Sequence, residues 1–400
     1  MRGFKAIRKP STQSQSQSQS QPQPQYEIAD ILNRLGDKLE DLGFNAWQLR
    51  TLFALKKCRT SALGGHIDAC DECGNISISY NSCRNRHCPK CQGRNREQWI
   101  ENRETELLPV PYFHVVFTLP EVLNKTALHE PKMLYDTLFE TAWETLQTFG
   151  KNKNLQMGMI AVLHTWGQNL SLHPHLHCIV PGGGVDENGA WKNIKNDGKF
   201  LFPVKALSKV FRAKFCEKLK ANLKDKFNEN QENEYEKIRQ SLWEKPWVVY
   251  AKKPFGSPKS VVEYLGRYTH KIAISNQRIR KIDAETVTFS YKDYRQKGIK
   301  KQMVLSHAEF IRRFAMHILP KRFVKIRHYG FLSSTWKRKK LKTLQQNLGV
   351  IPREKPIKKP FSPKCSCCKV GNLVTIATFD LRGPPRWFLE RSQSLKLPKI

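Results

Sequence analysis

Apolar residues recur at helical spacing near the start of the chain. Ile28, Ile31, Leu32, Leu35, Leu39 and Leu42 fall on one helical face, which predicts a mostly helical stretch over 27–63. From residue 112 the texture changes. The run 112–119, Tyr-Phe-His-Val-Val-Phe-Thr-Leu, reads as a buried strand ended by Pro120. An amphipathic helix is predicted over 133–149, stopped by Gly150. Two more strands follow, 157–166 and 172–180, the second running into Pro181-Gly-Gly-Gly184. A lysine-rich helical region is predicted over 204–243 and a short strand over 247–250. Ser257 and Pro258 form a helix start, with Ser as N-cap and Pro in the first turn, and that helix should reach about residue 270. A strand over 286–291 and a helix over 307–316 complete the pattern. The order strand, helix, strand, strand predicts an α+β fold with an antiparallel sheet.

The flanks differ from this middle. Residues 11–25 are Ser-Gln and Pro-Gln repeats that cannot bury enough surface to fold, so 1–25 is expected to be a disordered tail. Beyond 336 the chain is basic and punctuated by Pro, and 336–400 is expected to be a tail carrying a short Cys cluster. Between them, 26–108 reads as a helical and zinc-binding domain and 109–335 as a catalytic domain. No apolar run is long enough to span a bilayer, and the basic start has no apolar stretch behind it. The expectation is a cytoplasmic protein that meets neither a membrane nor a secretion route.

Charge narrows the partner. Lys and Arg number 69 against 35 Asp and Glu, a formal net charge of +34, which calls for a polyanion such as nucleic acid. The eleven cysteines are clustered, five from Cys70 to Cys91 and three from Cys365 to Cys368. In a long chain without a secretion signal, clustered CxxC pairs read as metal sites rather than disulfides. Cys70-x-x-Cys73 and Cys88-x-x-Cys91 are two such knuckles, fourteen residues apart, and are expected to close one structural Zn2+ site. Cys83, His87 and His66 are spare donors for a second ion or an exchange. The knuckles are interleaved with Arg84, Arg86, Lys90, Arg94 and Arg96, so this module is expected to recognise DNA.

Two further patterns carry chemistry. His173-Pro-His175-Leu-His177 lies on a predicted strand, where residues two apart point the same way. His175 and His177 therefore share a face, about 7 Å apart along the strand, and can hold one ion that polarises a phosphate. His173, His164 and His270 are the alternatives for a third ligand. On the helix beginning at Pro258, Tyr264 and Tyr268 are four apart and share a face, with Arg267 and Lys271 nearby to neutralise phosphate. Alone, such a tyrosine pair reads as core packing; beside a metal-holding strand it becomes a pair of nucleophiles. Gly182-Gly-Gly184 lacks the Lys-Ser/Thr ending of a nucleotide-binding loop, so no nucleotide cofactor is expected.

Three motifs in this order resemble one family. His-Pro-His-Leu-His before a Gly-rich turn, Tyr264-Leu-Gly-Arg-Tyr268-Thr-His-Lys-Ile-Ala-Ile-Ser, and Tyr80-Asn-Ser-Cys83-Arg-Asn-Arg-His87-Cys88-Pro-Lys-Cys91 look like the two-tyrosine rolling-circle transposases of the insertion-sequence-ninety-one type. The resemblance covers about 30–335 and is looser beyond 336. It implies a ferredoxin-like or RRM-like antiparallel sheet with two His on a central strand, as in the His-hydrophobe-His endonuclease superfamily. It implies His175 and His177 as ligands of Mg2+ or Mn2+, and Tyr264 and Tyr268 as nucleophiles on single-stranded DNA. Attack would leave a 5′-phosphotyrosine and a free 3′-OH, storing the bond energy for rejoining. The rival readings are a plasmid or phage replication initiator or relaxase with the same chemistry, and a non-catalytic zinc-finger DNA-binding protein.

Overall fold

The computed structural model describes residues 24–194, 201–224, 229–252, 258–350 and 363–394. The expected tail over 1–25 lies almost wholly outside the described residues, as does the Ser257 cap. Helices α1 (Ile28–Leu35) and α2 (Ala46–Lys56) come first, then strands β1 (Gly65–Cys70) and β2 (Ile76–Tyr80) and helix α3 (Gln92–Glu104). Next come β3 (Tyr112–Thr118), α4 (Asn124–His129), α5 (Pro131–Lys151), β4 (Gly158–Trp166), β5 (Leu172–Pro181) and the short pair β6 (Gly183–Val185) and β7 (Trp191–Asn193). Helices α6 (Val204–Lys224) and α7 (Glu229–Glu244), strand β8 (Val249–Lys252) and helix α8 (Pro258–Thr269) follow. Strands β9 (Ile279–Ile282), β10 (Thr286–Asp293) and β11 (Ile299–Ser306) lead to α9 (His307–Ala315), β12 (Ile326–Gly330), α10 (Ser334–Asn347), β13 (Leu373–Phe379) and α11 (Arg386–Ser394).

A five-stranded antiparallel sheet in the order β12-β4-β5-β3-β8 organises the middle of the chain. The histidine strand β5 is its central member, and the fold is the mixed helix and antiparallel-sheet class that the pattern predicts. Period two sorts the side chains. Val115 and Phe117 of β3, Ala161 and Leu163 of β4, and Leu176, Cys178 and Val180 of β5 are fully buried under α5 and α6. Leu134, Leu138, Phe139 and Leu146 of α5 and Phe211, Phe215 and Leu219 of α6 supply the cover. Each large side chain contributes roughly 1.5–3 kcal/mol on burial, so this face anchors the sheet. The opposite face is thereby free to carry polar groups. It is covered in part by α8, whose Val261 packs with Ile160 and Ile179.

The cores do not fall at the expected divisions after 108 and 335. Ile31, Leu32 and Leu52 of the first two helices share one core with Phe289 of β10 and Phe310 and Phe314 of α9. Nor is the stretch beyond 336 a plain tail. It forms α10, and β13 pairs antiparallel with β1 to complete a three-stranded sheet β13-β1-β2. Strands β11 and β12 carry charged residues that weaken their apolar signal, whereas β13 is an uncharged apolar run that lies half-buried or exposed.

Candidate active site

The register of the central sheet sets the site. His164 of β4 lies opposite His175 of β5, and Val162 opposite His177. His164, His175 and His177 therefore share the face away from α5 and α6. One ring nitrogen from each lies within 4.8 Å of the others. Among the three alternatives for a third ligand, the structure brings His164 to the pair; His173 is exposed, and His270 joins its Nδ1 to the Thr269 hydroxyl at 3.0 Å.

Hydrogen bonds orient these rings. His164 Nε2 donates to the Tyr268 carbonyl at 2.7 Å, and His175 Nδ1 donates to the His173 carbonyl at 2.6 Å. Each ring is left with its other nitrogen as a lone pair, the arrangement by which ligand imidazoles are fixed. His177 Nδ1 meets Nε2 of His114 at 2.8 Å. Burial pushes His175 down to about 4 and holds His164 and His177 well below the usual imidazole range. The three rings are therefore neutral at pH 7 and fit a divalent cation without losing a proton. Their all-nitrogen donor set favours Mn2+ over Mg2+, since imidazole binds transition ions more tightly.

Helix α8 lies over this cluster. The Tyr268 ring is centred 4.3 Å from His177 and 5.7 Å from His164, and the Tyr264 ring 5.3 Å from His114. The Tyr268 hydroxyl donates to the Tyr264 hydroxyl at 3.0 Å, so the two phenol oxygens sit side by side. Lys271 Nζ lies 5.5 Å from the Tyr268 ring centre. The Arg267 side chain is outside the described residues. On its far side α8 rests on α3 at Gly266, where an added Cβ would come within 2.4 Å of the Ile100 side chain. Helix α3 starts directly after Cys91, so the cysteine-rich module braces the tyrosine helix.

The cysteines group differently from the expected set. Cys70, Cys73, Cys88 and Cys91 do not close one site. Cys88 and Cys91 converge with Cys58 and Cys83, while Cys70 and Cys73 converge with Cys365 and Cys368. The physical reason is topological. The Cys70–Cys73 knuckle lies at the β1–β2 turn, where the β13 end of the sheet brings in the late cysteines; Cys88–Cys91 lies at the start of α3, against the end of α2. Of the spare donors, Cys83 joins the first group. His87 instead accepts from the Leu319 backbone N–H at 3.3 Å, and His66 lies 3.4 Å from Asp68. Sulfur separations in the first group are 3.5–3.7 Å. A tetrahedron with Zn–S bonds of about 2.3 Å has edges of about 3.8 Å, so the thiolates fit zinc.

Comparison with known proteins decides the family. Residues 158–340 match a family model described as "Putative transposase", and residues 31–119 match one described as "Transposase zinc-binding domain". A Sinorhizobium fredii protein named "Putative transposase y4qJ" is 42% identical, covering 90% of this chain and 97% of its own length. The chain belongs to the insertion-sequence-ninety-one type of transposases. The "Transposase for insertion sequence element IS801" of Pseudomonas savastanoi pv. phaseolicola is 30% identical over 74% of this chain and 73% of its own length. No solved structure matches. Membership favours a transposase over an initiator, a relaxase or a non-catalytic finger protein. DNA is its partner, and structural zinc belongs to its zinc-binding domain. Among the described residues no helix of this transposase is long and apolar enough to cross a membrane.

Two residues of the transposase site escaped the sequence reading. His114 alternates correctly on β3, but one His in an apolar strand reads as core. Lys325, just before β12, is held by its ammonium donating to the Lys271 carbonyl at 2.8 Å, 5.1 Å from the Trp166 ring centre. Burial pushes it down to about 7, and its charge opposes protonation of His164 and His177. Nothing local in the sequence marks it.

Proposed function

We propose that this transposase nicks and rejoins single-stranded DNA through 5′-phosphotyrosine links to Tyr264 and Tyr268, moving its element by a rolling-circle route. One observation carries the reading: two phenol oxygens 3.0 Å apart on a helix that lies against three neutral, converging imidazoles. His164, His175 and His177 would hold Mg2+ or Mn2+, whose chemistry is to polarise the scissile phosphate as a Lewis acid.

The remaining work falls to the chain. A phenol oxygen attacks phosphorus, the bond to the 3′ oxygen breaks, and the phenolic proton is balanced by the hydroxyl that leaves. Phenol is a weak nucleophile, with a pKa of about 10, so charge on phosphorus needs cationic neighbours. Lys271 at the Tyr268 ring is one; Arg267, one residue before Tyr268, is assigned the same role from its place in the helix. The neighbouring phenol gives a second nucleophile, so two ends can be held at once. That is what passing a strand from donor to target requires.

The DNA path is read from two basic concavities. Arg96, His270, Lys271 and Arg278 line a cleft between the Cys88–Cys91 knuckle and the end of α8. Arg59, Arg84 and Lys90 line a larger groove with Tyr80 and Asn81 beside the first cysteine group. Cation-lined grooves with an aromatic ring suit a single strand. We assign zinc in the first group to Cys58, Cys83, Cys88 and Cys91, as the brace that holds this groove and α3. The reading carries with it a cytoplasmic place of action, at the nucleoid.

The test is a single-stranded oligonucleotide of the element end incubated with Mn2+ and run on a denaturing gel. The parent forms a protein–DNA adduct, and the Tyr264→Phe, Tyr268→Phe double variant binds DNA without forming one. An adduct that survives in the double variant removes these tyrosines from the mechanism.

A further inference from the structure

The two matched family regions end at residues 119 and 340, and the second cysteine group reaches outside both. Cys70 and Cys73 meet Cys365 and Cys368 across almost the whole chain. Their sulfurs are 3.6 Å apart for Cys70–Cys368 and 3.8 Å for Cys73–Cys365. Those are tetrahedral edges for zinc, and too long for a disulfide at about 2.05 Å.

The two knuckles are built alike. Gly74 N–H donates to the Cys70 carbonyl at 3.1 Å, and Lys369 N–H donates to the Cys365 carbonyl at 3.0 Å. Both closing residues are left-handed, with φ of 66° and 61°. For Lys369, a residue with a Cβ, that conformation is strained, and such strain persists only where the surroundings impose it. Backbone N–H groups also point at sulfur: Cys367 at Cys365 Sγ (3.4 Å) and Gly371 at Cys368 Sγ (3.3 Å). Donors so placed stabilise thiolates, the form that binds metal.

Burial does not account for the docking of this segment. Every residue of β13 is half-buried or exposed, with Val374 and Ile376 about half exposed. Its contacts include the ladder to β1, Asn372 N–H to Asp71 at 2.7 Å, Thr375 Oγ1 to Asp68 at 2.7 Å, and the edge-to-face contact of the Phe379 ring with Tyr80. A strand with so little buried surface needs another fastening. Both parts of the chain are also shaped for it. An added Cβ at Gly64 would come within 2.4 Å of the Phe379 carbonyl, and one at Gly371 within 2.4 Å of Cys70 Sγ.

We propose that Cys70, Cys73, Cys365 and Cys368 hold a second structural zinc ion, which fastens residues 363–379 onto the zinc-binding module. The module is then a ribbon assembled from distant parts of the chain, and the catalytic sheet is an insertion between them.

Zinc content of the full chain by native mass spectrometry tests this. Cys365→Ser with Cys368→Ser carries one zinc fewer than the parent, and so does Cys88→Ser with Cys91→Ser. With cobalt loaded instead, the thiolate-to-cobalt charge-transfer band falls by about half in either double variant. Residues 363–394 become susceptible to limited proteolysis in the first double variant but not in the second. Cys73→Ser, at an exposed position, gives the same loss of one ion should the double variant fold poorly. Zinc content and cobalt band unchanged in Cys365→Ser with Cys368→Ser, or an intact mass two hydrogens short, overturn the second site. Loss of an ion on Cys88→Ser with Cys91→Ser alone leaves the first site standing and refutes only this one.

Discussion

The carbonyl oxygen of Tyr268 accepts a 2.7 Å hydrogen bond from His164 Nε2. The backbone that carries a phenol therefore also orients an imidazole of the converging trio. Hydrogen bonds to ligand histidines select the tautomer and hold the ring plane. This one spans two elements that are far apart in the chain, β4 and α8.

Replacing His164 with Ala removes a proposed ligand and this link together. Even outer partners of metal ligands are worth about 10–100-fold in metal affinity, so the Mn2+ concentration giving half-maximal adduct should rise by at least about tenfold. DNA affinity should stay within about twofold, because phosphate contacts dominate it. An unchanged Mn2+ dependence would take His164 out of the site.

Burial also sets a pH signature. His175, His270 and His317 are held near 4, and His87 and His328 near 3. Unfolded imidazoles titrate near 6.5. Below that value the unfolded chain binds protons that the folded chain does not, so these rings weaken folding as pH falls from about 6.5 toward 4 and have no effect above it. Thermal unfolding of the metal-free chain should give a Tm that falls slightly from pH 8 to 7, as buried Lys325 takes up its proton near 7, and by several degrees more at pH 5. A Tm equal at pH 7 and pH 5 would contradict the burial of these rings.

At Gly65 an added Cβ would come within 2.4 Å of the Ser79 carbonyl and 2.6 Å of the Phe379 ring. Gly65→Val should therefore part β13 or β2 from β1, at an overpacking cost of about 1–3 kcal/mol. The expected result is faster proteolysis within 363–394 with the catalytic sheet intact by circular dichroism. Parent-like protection of that segment would show that β1 tolerates the bulk.

Much of this was legible in the chain. The alternation around His175 and His177 located β5, its buried Leu176 and the shared face of the imidazoles, because period two is a local property. Helical spacing likewise placed Tyr264 and Tyr268 together. His164 remained one of three alternatives, since which residue of β4 faces His175 depends on register, and register is a tertiary fact. The cysteine grouping failed for the same reason. Sequence proximity joined Cys70–Cys73 to Cys88–Cys91, whereas the sheet joins the first knuckle to Cys365 and Cys368, and the end of α2 delivers Cys58, a cysteine with no neighbour in its own stretch. Lys325 was invisible because only burial distinguishes it from the other lysines.

The alternation along β5 has a cost for errors in assembly. A slip of one residue against β3 or β4 would turn His175 and His177 into the oily layer beneath α5 and expose Leu176 and Cys178 to the groove. Misaligned chains would therefore be unstable before they were inactive. Quality control of the fold and the placing of the imidazole trio become a single selection, enforced by one strand.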